Sequence, residues 1–124
     1  MRWSVMVAAL AVLACGCASS RSAPSADAEI RAGVHAATRE YWQEALFRFQ
    51  RAQQLEPENF KGLNNIAVSL EALGRYEDAL GMYKKALEKS PSNTAVKRNY
   101  ARFAEFYTSL ARGVKPKETG HAKP

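Results

Sequence analysis

Four side chains are of the types that thiol chemistry, imidazole catalysis and soft metal binding draw on: Cys15, Cys17, His35 and His121. Their spacing serves none of these uses. Both cysteines precede residue 18, so the rest of the chain can hold neither a disulfide framework nor a Cys-based zinc site. His35 has no histidine three or four residues away to share a helix face, and His121 falls in a lysine-rich segment. Each is expected as a surface side chain. Carboxylates at Glu56, Glu58, Glu77 and Asp78 fall where helices are expected to start, where negative charge favours the helix dipole. No glycine-rich phosphate loop, nucleophile elbow or metal-ligand spacing occurs. The reading is a chain that is not an enzyme and uses no metal or cofactor.

The cysteines stand at the end of a different kind of element. Arg2 is followed by the almost wholly apolar W-S-V-M-V-A-A-L-A-V-L-A, the 12 residues Trp3 to Ala14. That suits the apolar core of a signal peptide, whereas a spanning helix needs roughly 20 residues. The run closes on L-A-C-G-C-A-S-S. This resembles the lipobox of bacterial lipoproteins, in which small residues admit the peptidase and the cysteine thiol takes a diacylglyceryl group. The resemblance implies a signal peptide over residues 1–16 and lipidation at Cys17, with Cys15 as the other candidate. Several acyl chains hold a protein durably at a membrane, unlike one chain alone. Neither cysteine is followed by Asp, which resembles the outer-membrane sorting pattern, with the protein facing the periplasm. Residues 17–25 are small and polar and read as a flexible tether.

The elements that follow are set by a repeat. Ala45-Leu46, Phe49, Ala52 and Pro57 recur as Ala79-Leu80, Tyr83, Ala86 and Pro91, every landmark 34 residues on. Trp42 matches Tyr76, and Gly33 matches Ala67, at the same interval. Small residues let helices approach closely, the aromatic fills the gap, and each proline closes a helix because it has no N–H to continue it. Apolar residues at helical spacing, such as Leu63, Ile66, Leu70 and Leu73, point the same way. Helices are predicted near 27–39, 42–55, 61–73, 76–89 and 94–111, with Gly74 ending the third and Asn93 or Ser92 capping the fifth.

This register resembles the tetratricopeptide-repeat (TPR) family. The resemblance implies an all-α helix-turn-helix solenoid over residues 26–112. It has two full repeats, about 26–59 and 60–93, and a C-terminal capping helix at 94–111. A third repeat begins but does not finish: the next aromatic position is Lys117, and the segment after Gly113 reads V-K-P-K-E-T-G-H-A-K-P. Residues 113–124 are expected as a basic disordered tail. Ala28, Ala32, Gly33 and Ala36 give the first helix little bulk, so a partner or self-association would firm up the first repeat. Alanines 45 and 79 are expected to reject a large side chain, while Glu71 should tolerate alanine.

Net charge is +6, of which Arg2 supplies +1 and residues 94–124 supply +5, with seven cations there facing only Glu105 and Glu118. Nucleic acid is not indicated, because no reading motif accompanies that charge. The TPR resemblance instead implies a protein partner in a concave groove lined by the first helix of each repeat. Carried onto this chain, its positions are Ile30, Val34 and Ala37, then Lys61, Asn64, Val68 and Glu71, then Arg98, Arg102 and Glu105. One side is apolar and the other cationic, which suits a peptide or helix with an apolar stretch beside an acidic one. Ile30 and Val34 replace the polar pair that grips a C-terminal carboxylate in some TPR proteins, so no carboxylate clamp is expected, although Asn65 fits part of it. The function implied is a lipid-anchored scaffold of the cell envelope, in assembly of a pilus or secretion system. The alternative is an accessory subunit of a peptidoglycan synthase or hydrolase.

Overall fold

A computed structural model describes residues 23–114. The signal segment, both cysteines, His121 and the basic tail from Lys115 lie outside the described residues. Among those described there are five helices and no strand: α1 (Ala26–Ala37), α2 (Trp42–Leu55), α3 (Phe60–Ala72), α4 (Tyr76–Lys89) and α5 (Thr94–Ala111). None is long and apolar enough to cross a membrane.

The 34-residue period governs the helix ends as well as the core. Ser25, Asn59 and Asn93 stand one period apart, and each caps the helix that follows. Ser25 accepts from the Ala28 N–H, Asn59 from Lys61 and Gly62, and Asn93 from Ala95 and Val96. Such caps satisfy amides that the helix itself leaves unpaired. The turns repeat too: Gly74 has φ +74°, and Glu40, one period earlier, has φ +62°. Left-handed backbone costs a residue with a Cβ about 1–2 kcal/mol relative to glycine. Glu40 therefore carries local strain that Gly74 avoids. These turns end α1 and α3 one to two residues earlier than the predicted 39 and 73.

The core follows the landmarks. Phe49, Tyr83 and Phe103 are completely buried, with Ala45, Ala67 and Ala79 packed among them. Gly33 is small by necessity, because a Cβ there would sit 2.4 Å from the Phe49 ring. The first helix is thus held by close approach rather than bulk. It is also stapled by charge: Glu29, nearly buried, pairs with Arg51 at 3.2 Å and Arg48 at 3.4 Å. One period later the same position is the core residue Leu63. At Glu29, in the first of the described helices, the two arginines offset the cost of burying the charge.

At the other end α5 closes the core. Tyr83 and Phe103 pack with ring centroids 5.2 Å apart, and Tyr76 meets Phe106 edge-on at 5.1 Å. Such offset and edge-on pairs add about 0.5–1.5 kcal/mol beyond burial.

Candidate functional site

The concave face is built where α1, α3 and α5 line up side by side. Ile30 and Val34 on α1 face Lys61, Asn64 and Asn65 on α3, and Asn93, Val96 and Asn99 close the far side, around a hollow of about 310 Å³. An asparagine ladder crosses its floor. The Asn99 amide donates to Asn64 Oδ1 at 3.2 Å, and the Asn64 amide donates to Asn65 Oδ1 at 3.3 Å. Asn65 and Asn99 are one repeat apart and hold the same register position. Each amide side chain carries both donors and acceptors, and the ladder uses only part of that capacity. Lys61 lines this hollow and is exposed; Arg98, one period on from Asn64, is exposed but does not line the hollow, and no ion pair among the described residues engages either.

Ile30, Val34, Lys61 and Asn64 are therefore brought together as the sequence reading placed them. Val68 and Ala37 are not: both are buried in the core cluster and offer a ligand nothing. Glu71 and Arg102 are also removed from the open surface, because they hold each other. Arg102 Nη2 donates to Glu71 Oε2 at 2.6 Å, and the buried Tyr83 hydroxyl donates to the same oxygen at 2.8 Å. Their side chains are only 17% and 10% exposed. Burial and the neighbouring Glu71 charge push the Tyr83 phenol far above its ordinary range. Burial alone would lower the Arg102 pKa, but hydrogen bonding and charge from Glu71 outweigh it and the pKa is raised. Glu71 thus cannot tolerate alanine as the sequence suggested. Its loss would strand a guanidinium whose Nε already lacks a partner among the described residues. Glu105 is exposed at the outer side of α5 and does not line the hollow.

Sequence reasoning missed Phe60, Asn93 and Asn99 as groove residues. Asn99 was the most legible of them, since it is Asn65 displaced by one repeat. A wider hollow of about 730 Å³ lies on the convex side, between Gln50, Gln53 and Gln54 of α2 and Met82, Lys85 and Lys89 of α4. Its walls lack both a polar ladder and an array of facing first helices. Among the described residues no cluster of three or more His, Cys, Asp or Glu side chains could hold a metal ion.

The tetratricopeptide repeat family matches residues 60–93, which are α3, α4 and the turns that close them. Those bounds coincide with the second repeat read from the sequence. No curated protein matches the chain in sequence.

Proposed function

The chain carries a tetratricopeptide repeat, and from that premise we propose that it is a lipid-anchored scaffold of a bacterial cell envelope that holds a partner protein by an extended peptide segment. Repeats of this family serve protein–protein interaction and are typically not enzymes. The observation that carries the groove reading is the Asn64–Asn65–Asn99 ladder with Ile30, Val34 and the exposed Lys61 around it; Arg98 joins them by its place in the 34-residue register, one period on from Asn64. Amides answer a peptide backbone, the aliphatic pair takes an apolar side chain, and the two cations take a neighbouring carboxylate. Assembly of a pilus or secretion system is the role this reading favours, at the outer membrane and facing the periplasm.

The groove test is electrostatic. Lys61→Glu combined with Arg98→Glu should weaken a captured partner at least tenfold without lowering helicity. Arg102 is left intact, since it pairs with Glu71. Affinity for the parent chain should also fall with salt, as the screening length shrinks from about 10 Å at 0.1 M to about 3 Å at 1 M. Lys115→Glu with Lys117→Glu controls for net charge. If that tail variant abolishes binding and the groove variant does not, the basic tail is the binding site and the groove reading fails.

The anchor rests on the apolar run ending in L-A-C-G-C. Mass spectrometry of the mature N-terminus should find a diacylglyceryl-modified cysteine at Cys17 or Cys15. An unmodified N-terminus that begins downstream of Cys17 would refute lipidation and leave the groove reading untouched.

A further inference from the structure

In each of the two repeats a small residue on the first helix lies under an aromatic from the second. Gly33 lies against Phe49, and Ala67 and Tyr83, one period on, are both fully buried. The third member of the series is Ala101, and it is exposed. The residue one period beyond Tyr83 is Lys117, outside the described residues, and Pro116 beside it has no N–H for a helix interior. The aromatic position that faces Gly33 and Ala67 is thus not repeated for Ala101. Helix α5 is also longer than its counterparts, with 18 residues against 12 and 13 for α1 and α3. It runs straight through the position where they turn and leaves Leu110 44% and Val114 58% exposed.

The face that Ala101 occupies has a charge pattern of its own. Lys97, Ala101 and Glu105 are spaced by four, so they share one side of the helix, and all three are exposed. Neither charge belongs to an ion pair among the described residues. The pattern is complementary to itself when reversed. If two such helices lie antiparallel about Ala101, each Lys97 faces Glu105 of the other copy. Thr94 then faces Thr108, and Arg98 faces Ala104. The alanine at the axis permits the close approach of about 8 Å at which small residues let helices pack. A parallel pairing would instead set Lys97 on Lys97 and Glu105 on Glu105. Antiparallel is also the sense in which each second helix returns along its first within the repeats.

We propose that the outer face of α5 is a self-association surface, in which α5 of a second copy lies antiparallel across Ala101, on the face that the second helix covers in each full repeat. Such a contact is two-fold and closes on itself, giving a dimer rather than a filament. It leaves the asparagine ladder free, because Asn99 and Ala101 are two residues apart and so point about 200° apart around the helix. Arg98 borders both faces, so the association is tested at Lys97 and Glu105 and not at Arg98.

The test uses the full chain with Ala101→Cys introduced, under mild oxidation. The parent, with its own Cys15 and Cys17, sets the baseline, and Lys85→Cys on the convex face is the control. A two-fold axis at Ala101 brings the two introduced thiols within disulfide reach, so covalent dimer should rise well above both. Adding Lys97→Glu should lower the yield roughly fivefold, because two attractive contacts become repulsive. Adding Glu105→Lys to that variant should restore it, since only the antiparallel arrangement exchanges these partners. Covalent dimer no greater than with Lys85→Cys would overturn the proposal. So would loss on the single reversal with no recovery in the double.

Discussion

Replacing Ala79 or Ala45 with tryptophan is expected to abolish the cooperative thermal transition of the helical module. Both alanines are completely buried, in a cluster that also holds Phe49 and Tyr83. Overpacking a well-filled core by a few methylenes already costs about 1–3 kcal/mol. An indole adds far more volume, against a total stability of about 5–15 kcal/mol for an ordinary domain. A two-repeat array stands at the low end of that range, because it is near the fewest repeats that bury a continuous core. Circular dichroism melts decide the matter. Melting unchanged from the parent in both variants would mean that the 34-residue register does not describe the packing.

That register made most of the fold legible. Ala45, Phe49, Ala52 and Pro57, with their counterparts one period later, set four helices and the handover between them. The cap at Asn93 and the turn at Gly74 were read with it; the cap at Asn59, one period before Asn93, was not. Side-chain interactions between elements were less visible, since a period says which positions recur and not which charges meet. Glu29 is not one of the repeat landmarks. It is instead the partner of Arg48 and Arg51, which lie one turn apart on the next helix. Glu71 and Arg102 were assigned to the groove from their family positions. They lie on different first helices, 31 residues apart, and only the packing of α5 onto α3 and α4 brings them together over Tyr83. Within the groove, Ile30, Val34, Lys61 and Asn64 were readable. The bond from Asn99 to Asn64 was not, because it joins two different repeat positions.

The same ion pair gives the second large effect. Glu71→Ala should destabilise the module by roughly 3 kcal/mol, because it leaves Arg102 charged, mostly buried and unpaired, and strips the Tyr83 hydroxyl of its acceptor. Replacing both partners with apolar residues of similar size, Glu71→Leu with Arg102→Met, should restore much of that loss. The contrast is the diagnostic, since breaking a buried pair costs more than removing it whole. Chemical denaturation of the three chains measures it. A single variant as stable as the parent would show that the pair is solvated and that Glu71 is free to face a ligand. The expected result instead confines the groove's usable charge to Lys61 and Arg98.

The scaffold reading depends on which face of the array meets the partner, and photo-crosslinking reads that directly. A photoreactive side chain placed at Lys61, on the mouth of the groove, should give one discrete crosslinked product with the partner protein in cells. The same group at Lys85, in the convex hollow between α2 and α4, should give none. A product from Lys85 with nothing from Lys61 would contradict the account and move the binding site to the opposite face.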